Sequence, residues 1–521
     1  MDQMKALLIN PKKPPSIGSL QKTCRLVGRK TFLPPLGLIT VAALLPPQWD
    51  LRLVDLDAGT LTEADWAWAD MVMVSGIIVQ RDSLLALVRE ARQRGKMVVA
   101  GGIYPSTFPH EVLEAGCDFL FRGESENTVP LWLTALREGK SRGIFESSEF
   151  PDVAASPIPR FDLLNLSNYL NLMIQTSRGC PYGCDFCEVS AFYGRKPRYK
   201  EPSQVLAELE AIYGLGWRRD IFVCDDNFIG NKARAREILK ELIPWNKSHG
   251  EPFSFWTQVS VNLGQDKELI DVMTAANFSM VFIGIESPDT EVLSGSGKYQ
   301  NIRNPLAESL NNIVANGLSI LGSFMLGLDA EKSGAGERIC AFVESTNIPV
   351  FQLVVLQVAP GTGLWRRLEN EGRLLEHDTR TDWVAMRPNY VPARPASEIL
   401  EDFICSWDYL FEPGRFLARV YRHCLSIRPT RSTIAKKKGE VLPSGPPRSE
   451  PPLGDVLRTA TALLRLCWRH GIRSSNRRQY WEQFFGMLKH NPSRFTRYIQ
   501  LCAIGEHMID VRNTILRTVQ R

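Results

Sequence analysis

Short apolar runs alternate with amphipathic segments along the first part of the 521-residue chain. The runs are four or five residues long and rich in β-branched and other large apolar side chains, whereas the intervening segments have helical spacing. The runs are residues 6–10, 51–55, 71–75, 97–100 and 119–122. Alternation of this kind is typical of an α/β fold, and it predicts a doubly wound, Rossmann-like parallel sheet.

A second series of apolar runs follows, again separated by helical segments, and it predicts a full or partial β/α barrel of the TIM type. Its runs are residues 172–176, 221–224, 255–258, 281–284, 319–322 and 351–355. After residue 380 such runs cease, and helical spacing returns in residues 396–411, 453–470 and 478–490. The last part of the chain is therefore predicted to be a helical domain.

These patterns divide the chain into four predicted segments. They are a Rossmann-like domain in residues 1–140, a Ser- and Pro-containing linker in 141–168, the barrel in 169–385 and the helical domain in 386–521. Within the helical domain, residues 428–452 contain a run of lysines and several prolines, a composition that predicts an exposed loop.

Each run of the first series stops at small or turn-forming residues. Open α/β sheets bind ligands at the edge where the strands end, and glycine lets a ligand approach the backbone closely. The candidate ligand-binding positions at this edge are Gly76, Gly101, Gly102 and Gly123.

Composition indicates the cellular compartment of the protein and the role of its cysteines. The longest N-terminal apolar stretch, residues 36–45, is too short to cross a bilayer, and the first residues lack the order of a signal peptide. We therefore predict a cytoplasmic protein.

Eleven cysteines in so long a chain do not form a disulfide scaffold, and three of them lie within eight residues, which favours a metal site.

The charge is distributed unevenly. The net charge is +5, yet residues 413–521 contain 21 Lys and Arg against 6 Asp and Glu. Three interpretations remain open for this basic tail: attachment to an anionic membrane surface, a solvated helical face, and nucleic-acid binding. The third is the weakest, because no known nucleic-acid-reading module accompanies the charge.

The strongest chemical motif is Arg178-Gly-Cys180-Pro-Tyr-Gly-Cys184-Asp-Phe-Cys187, directly after the first predicted barrel strand. Cysteine thiolates hold iron-sulfur clusters, and three of them leave one iron of a four-iron cluster open. A structural zinc loop is the alternative, but zinc normally takes four ligands and no fourth Cys or His lies nearby.

This spacing resembles the radical S-adenosylmethionine superfamily. The resemblance implies a 4Fe-4S cluster on Cys180, Cys184 and Cys187, with the methionyl group of S-adenosylmethionine on the open iron. Reduction by a donor such as flavodoxin or ferredoxin would then release a 5′-deoxyadenosyl radical. It also implies that polar residues at barrel strand ends bind S-adenosylmethionine, here Asp225, Asp226, Asn227, Gln258, Ser260 and Glu286. Helix capping and ion pairing are the alternative roles for these residues.

The N-terminal domain resembles the cobalamin-binding domain of one large radical subfamily. The resemblance rests on the segments 33–38, 101–105 and 123–126, and it implies that the four edge glycines contact cobalamin. The chain lacks the Asp-x-His-x-x-Gly element, so this motif supplies no histidine ligand to cobalt. A degenerate domain without cofactor is the alternative.

Residues 284–288, 298–301 and 505–507 resemble the subgroup that includes the hopanoid C-2 methylases. This resemblance implies a methyltransferase that methylates an unactivated carbon of a hydrophobic, lipid-like or natural-product substrate. It suits peripheral attachment to the inner face of the membrane. Two other functions stay open: a cobalamin-dependent oxidation, cyclisation or rearrangement without methyl transfer, and a non-catalytic cluster or cobalamin sensor.

Overall fold

The computed structural model describes residues 3–375, 387–439 and 453–519. Three packed units follow one another along the chain, namely a parallel sheet, a partial barrel and a group of helices. The predicted boundary between residues 385 and 386 lies outside the described residues, as does the Pro-rich segment 443–447.

The first unit is a six-stranded, entirely parallel sheet with the strand order β2-β1-β3-β4-β5-β6. Its strands are β1 Lys5–Asn10, β2 Asp50–Asp55, β3 Met71–Ser75, β4 Met97–Gly101, β5 Phe119–Arg122 and β6 Gly143–Glu146. Its helices are α1 Gln21–Leu26, α2 Leu36–Leu44, α3 Glu63–Trp68, α4 Arg81–Gln93, α5 Ile103–Thr107, α6 Pro109–Glu114 and α7 Ser125–Arg137. The doubly wound fold is confirmed.

Successive strand residues bury themselves on opposite faces of this sheet. Leu7 and Ile9 pack into one hydrophobic core, whereas Ala6 and Leu8 pack into a second core across the sheet. Burial on both faces explains why β1 is apolar without interruption. Strand β6 falls inside the segment predicted as linker, and its short, half-exposed edge sequence has no such apolar run.

The second unit is a partial barrel of six parallel strands in chain order, β7-β10-β11-β12-β13-β14. Its strands are β7 Leu172–Ile174, β10 Ile221–Val223, β11 Phe255–Gln258, β12 Phe278–Glu286, β13 Ser319–Leu326 and β14 Val350–Val355, while β8 Ser177–Arg178 and β9 Arg198–Tyr199 form a small antiparallel pair. Its helices are α8 Glu188–Phe192, α9 Pro202–Gly214, α10 Lys232–Ser248, α11 Lys267–Ala275, α12 Thr290–Gly295, α13 Leu306–Ala315, α14 Ala335–Thr346 and α15 Gly363–Asn370.

An aromatic stack joins the barrel to the N-terminal unit. The Phe222 and Trp256 rings lie 3.8 Å apart and nearly parallel, and Phe32 stacks on Trp256 at 5.9 Å. Met280 and Leu33 complete this small hydrophobic cluster. The segment before α2 therefore packs against the barrel rather than against its own sheet.

The third unit consists of helices, as predicted. They are α16 Ala396–Leu410, α17 Pro413–Ser426, α18 Arg431–Lys438, α19 Leu453–Trp468, α20 Arg477–His490 and α21 Phe495–Val519. Helix α18 occupies part of the segment predicted as a loop, because three lysines in a row are good helix formers even where they stay exposed. Within the described ranges, none of the helices combines the length and the apolar character needed to cross a bilayer.

Helix α21 ties the third unit to the start of the chain. The His507 Nε2 lies 3.1 Å from the backbone carbonyls of Ser16 and Ile17, and Thr23 Oγ1 donates to the Ala503 carbonyl at 3.1 Å. Burial lowers the pKa of His507, which favours the neutral imidazole that donates one N–H to these carbonyls. The C-terminal helix therefore braces the segment that connects β1 to α2.

A buried ion-pair network joins the N-terminal sheet to the barrel. Arg178 donates to Glu124 at 2.5 Å and to Glu126 at 2.7 Å, and Arg198 donates to Glu124 at 2.6 Å. Burial alone would raise the pKa of Glu126, but the adjacent Arg178 outweighs burial and holds it at about 2. The loop after β5 is thereby fixed to the residue that begins the cysteine motif.

Crowding at Gly505 in α21 gives a test of how the third unit is packed. A Cβ atom there would lie 2.1 Å from the Phe416 ring, so we expect Gly505→Ala to lower the free energy of unfolding by about 1–3 kcal/mol. Gly454→Ala in α19 is the matched control, since its Cβ would meet nothing within 4 Å. Thermal denaturation of both variants measures the difference, and equal midpoints would contradict this packing.

The Arg178 network predicts a pH-dependent contribution to stability. Because the folded-state pKa of Glu126 lies below its ordinary value of 4.5, its stabilisation is complete above pH 4.5 and is lost as the pH falls toward about 2. We expect Glu126→Gln to lower the free energy of unfolding by roughly 2–3 kcal/mol at pH 7 and by roughly half as much at pH 3.

Urea denaturation at the two pH values measures this effect. Glu146→Gln is the control, since the Glu146 side chain is 59% exposed in its pair with Arg122 and should change stability by less than about 1 kcal/mol. A Glu126→Gln effect that is the same at both pH values would exclude the ion pair as its cause.

Candidate functional site

The cysteine loop begins directly after β8, at the carboxyl end of the barrel strands. Gly179 opens the loop with φ of +95°, and a Cβ atom there would lie 3.0 Å from the Gly194 carbonyl oxygen, so the turn requires glycine. The middle of the loop is fixed from two sides, because the Asp185 N–H donates to the Ser296 carbonyl and the Leu364 N–H donates to the Asp185 carbonyl.

The loop lines a cavity of about 180 Å³. The structure brings most of the predicted residues to its wall, namely Cys180, Cys184, Cys187, Asp226, Asn227, Gln258, Ser260 and Glu286. Apolar side chains complete it, among them Phe186, Val189, Val259 and Phe282. Residues from the loop and from three separate strand ends therefore converge on one cavity.

Amide groups lie beside two of the three cysteine sulfurs. Within residues 3–375, 387–439 and 453–519, no three His, Cys, Asp or Glu side chains converge closely enough to hold one metal ion. Burial raises the pKa of the Cys187 thiol to about 12, so a thiolate here requires compensating positive charge. Iron supplies such charge, and two amides point at the sulfurs: Gln300 Nε2 at 3.4 Å from Cys184 and Asn227 Nδ2 at 3.9 Å from Cys180.

Two neighbouring aspartates follow β10, and only one of them lines the cavity. Asp226 lines the cavity and accepts the Gly179 N–H at 2.8 Å, and burial raises its pKa to about 6. Asp225 does not line the cavity: its carboxylate accepts the Thr176 N–H at 2.6 Å and the Ser177 hydroxyl at 2.7 Å. Asp225 thus ties the end of β10 to the end of β7.

Asn227 and Ser260 link two adjacent strand ends. Asn227 donates through Nδ2 to the Ser260 hydroxyl at 3.2 Å and accepts the Ser260 N–H at 3.2 Å. The Ser260 hydroxyl in turn donates to Asn262, whose amide donates to the Tyr182 hydroxyl at 3.2 Å. This chain of hydrogen bonds returns to the cysteine loop, so the polar wall and the loop hold each other in place.

Glu286 and Lys298 form a buried ion pair at 2.7 Å beside the cysteines. Glu286 has φ of +66°, and a Cβ on Gly284 would lie 2.4 Å from the Glu286 Oε1. Glycine at position 284 therefore leaves the space that the ion pair occupies. Burial alone would lower the pKa of Lys298. The charges of Glu286 and of Cys184 outweigh burial, so the pKa is raised above its ordinary value. An ammonium group therefore stays charged next to the sulfurs.

The cavity residues that were not predicted as site residues include three polar ones from one short segment, namely Lys298, Gln300 and Asn301. Asn301 Nδ2 donates to the carbonyls of Gly284 and Ile285 at 3.0 and 3.1 Å, while its buried Oδ1 has no partner in the protein. In the sequence, residues 298–301 supported only the resemblance to the hopanoid C-2 methylase subgroup. The sequence feature that could have identified them as site residues is three large polar side chains within four residues, soon after Glu286.

The four edge glycines lie together at the carboxyl edge of the first sheet. A Cβ on Gly76 would lie 2.8 Å from Leu84, and one on Gly102 would lie 2.7 Å from the Ser75 hydroxyl. At Gly101 it would touch the Phe121 side chain at 3.4 Å, whereas Gly123 faces open space. Internal packing thus explains Gly76 and Gly102, whereas a Cβ at Gly101 would make an ordinary contact and Gly123 leaves the edge open next to the Arg178 network.

Three family models match the chain. A B12 binding domain matches residues 24–132, the radical SAM superfamily matches residues 174–337, and a domain of unknown function (DUF4070) matches residues 362–521. These matches correspond to the sheet, to the barrel and to the last barrel helix with the helical unit.

Two relatives match nearly the whole chain. An uncharacterised methyltransferase of Synechocystis sp. is 44% identical over 99% of this chain and 93% of its own. The hopanoid C-2 methylase of Rhodopseudomonas palustris is 31% identical over 96% of this chain and 92% of its own.

Solved structures share the fold at low identity. The cobalamin-dependent S-adenosylmethionine radical enzyme OxsB matches 100% of this chain and 80% of its own with a TM-score of 0.61 and 15% identity. The radical S-adenosylmethionine methyltransferase TsrM from Kitasatospora setae, solved with cobalamin and a [4Fe-4S] cluster, matches 76% of this chain and 84% of its own with a TM-score of 0.57 and 19% identity. The chain therefore belongs to the cobalamin-dependent radical S-adenosylmethionine methyltransferases, enzymes whose cofactors are a 4Fe-4S cluster, S-adenosylmethionine and cobalamin.

Proposed function

We propose that this enzyme transfers a methyl group to an unactivated carbon of a polycyclic, lipid-like substrate. The observation that supports this best is that one buried arginine joins the carboxyl edge of the first sheet to the cysteine loop of the barrel. Arg178 begins the cysteine motif and binds Glu124 and Glu126, which directly follow the open edge at Gly123. A cofactor at the sheet edge and a radical source in the barrel cavity would thus be held next to each other.

We assign the predicted segments accordingly. Residues 1–140, with β6 added to their sheet, would bind cobalamin, the rest of 141–168 would connect, 169–385 would hold the cluster and S-adenosylmethionine, and 386–521 would form the basic helical domain. Gly76, Gly101, Gly102 and Gly123 would present backbone to cobalamin, since side chains at this edge would crowd a bound corrin.

Cys180, Cys184 and Cys187 would hold three irons of the cluster and leave the fourth open. When bound, the cluster and cobalamin supply one-electron cleavage of S-adenosylmethionine and a transferable methyl group. The chain's own contribution is electrostatic: the Gln300 amide and the Lys298 ammonium stabilise thiolate charge at the wall of the cavity.

The remaining cavity residues suit S-adenosylmethionine. The carboxylates of Asp226 and Glu286 can attract a cationic amine or sulfonium, and the polar side chains of Asn227, Gln258 and Ser260 can bind hydroxyl and carboxylate groups. Asp225 would act through position, because its oxygens are already bonded to the Thr176 and Ser177 groups.

The substrate class rests on the cavity wall and on the relatives. Aromatic and aliphatic side chains such as Phe186, Val259 and Phe282 face the same space as the polar groups, which suits an apolar substrate. A relative 31% identical over nearly the whole chain is a hopanoid C-2 methylase. A flavodoxin or ferredoxin would supply the electron, and the enzyme would work as a peripheral protein at the inner face of a membrane.

An anaerobic assay tests this function. We expect the reconstituted enzyme with methyl-labelled S-adenosylmethionine, a strong reductant and a detergent-solubilised polycyclic triterpenoid to form 5′-deoxyadenosine and a product in which one labelled methyl group replaces one hydrogen. The Cys180/Cys184/Cys187→Ala triple variant is the control and should form neither. A product altered without label would favour oxidation or cyclisation, and an intact cluster without 5′-deoxyadenosine would favour the sensor function.

The Gln300 amide predicts a measurable effect on the cluster. Hydrogen bonds to the sulfurs favour the reduced state, so we expect Gln300→Leu to lower the midpoint potential of the cluster. Gln352→Leu is the matched control, because Gln352 is outside the cavity wall. Redox titration followed by electron paramagnetic resonance measures both variants, and an unchanged potential in Gln300→Leu would contradict this role.

A further inference from the structure

An exposed apolar stripe runs along helix α19. Its members share one helical face, since Leu453, Leu457, Leu464 and Trp468 are spaced by four, seven and four residues. Leu453 is 75% exposed, Leu464 71% and Trp468 54%. We call the apolar stripe the set Leu453, Val456, Leu457, Leu464, Trp468 and Ile472.

This surface is unusual within the molecule. Nineteen large apolar side chains are exposed among the described residues, and eight of them lie between Leu453 and Leu488. The two outside the stripe are Phe485, 60% exposed, and Leu488, 43% exposed, both on the adjacent helix α20. Scattered exposed apolar residues need no explanation, but a concentration of them on two neighbouring helices indicates an interaction surface.

The opposite face of α19 packs against the protein through Ala462 and Leu466, the two buried residues of the helix. Leu466 is buried in a cluster with Leu26 and Ala503. Asp455 pairs with Arg29, and Arg465 donates to the Leu26 carbonyl at 3.1 Å. The helix is anchored to α1 and α21 by one side and presents its apolar side outward.

Basic residues outnumber acidic ones in this region. Residues 453–490 contain seven Lys and Arg and two Asp and Glu. Three of the basic residues are paired with acids, namely Arg458 with Asp455, Arg469 with Glu506 and Arg478 with Glu482. Arg473, after α19, and Arg477, at the start of α20, are exposed. An apolar helical face that contains tryptophan and has arginines at its rim is typical of helices that lie in the interface of a bilayer.

We infer that the apolar stripe, with Phe485 and Leu488, is a docking surface for an anionic lipid bilayer. The inference rests on the proposed function in one respect, because a lipid substrate is reached most directly from a membrane surface. A second copy of this chain fits the same surface less well, since two arginine rims would face each other and repel. Anionic headgroups complement the rim, and the acyl region accepts the apolar side chains.

Vesicle flotation of the full-length reconstituted enzyme tests the surface. We expect binding to vesicles of phosphatidylglycerol and phosphatidylcholine, and weaker, less salt-sensitive binding to phosphatidylcholine alone. The double variant Leu464→Glu, Trp468→Glu should bind about tenfold less or weaker still. Arg473→Gln with Arg477→Gln should lose part of the binding to anionic vesicles alone.

Leu131→Glu with Leu215→Glu is the matched control, because both leucines are exposed but lie far from α19 in the chain, in or next to α7 and α9. Iron content and 5′-deoxyadenosine formation verify that each variant is folded, and Leu457→Gln provides a milder change within the stripe. The inference is overturned if the stripe variants float as wild type does. It is equally overturned if wild type forms a dimer that these variants dissociate, without binding vesicles.

The outcome is separable from the proposed function, because the vesicles contain no polycyclic lipid. Methyl transfer to detergent-solubilised substrate should be the same in the stripe variants and in wild type. Absent vesicle binding with intact methyl transfer would overturn the docking surface alone. Intact vesicle binding without methyl transfer would overturn the proposed substrate and leave the surface supported.

Discussion

The pairing of Arg178 with two buried glutamates is the constraint on which the arrangement of the site depends. A guanidinium that is 12% exposed cannot remain unpaired, since a buried charge without a partner costs several kcal/mol. Its acidic partners, Glu124 and Glu126, lie in the loop after β5 and in the first turn of α7, so the cysteine motif that starts at Arg178 is held against the edge of the first sheet. The same ion pairs therefore hold the two units together and place the cysteine loop.

The cavity uses the same principle at smaller scale. The charged side chains of the cavity wall have defined partners: Asp226 has the Gly179 amide, and Glu286 has Lys298. Low dielectric strengthens these interactions, and it also makes a missing partner costly, so the wall is fixed before any ligand arrives. One buried oxygen without a protein partner, Asn301 Oδ1, belongs to the wall of the cavity in which S-adenosylmethionine is proposed to bind.

The sequence predicted the fold wherever burial on both faces imposed a continuous apolar run. All five runs of the first series and all six of the second became strands, because parallel strands between two helical layers have no polar face. Strand β6 escaped prediction because only one face of an edge strand packs. Helix α18 escaped it because lysine content suggested exposure, and exposure does not distinguish a helix from a loop.

The sequence by itself determined the cysteine motif, the glycines at the sheet edge and the polar residues at strand ends, because these features are local and their spacing carries the chemistry. Only the tertiary structure decided which of two adjacent aspartates faces the cavity, that Lys298 pairs with Glu286, and that Arg178 reaches Glu124. It also decided which face of α19 stays uncovered. These outcomes depend on neighbours that are distant in the chain, and no local pattern encodes which distant groups will meet.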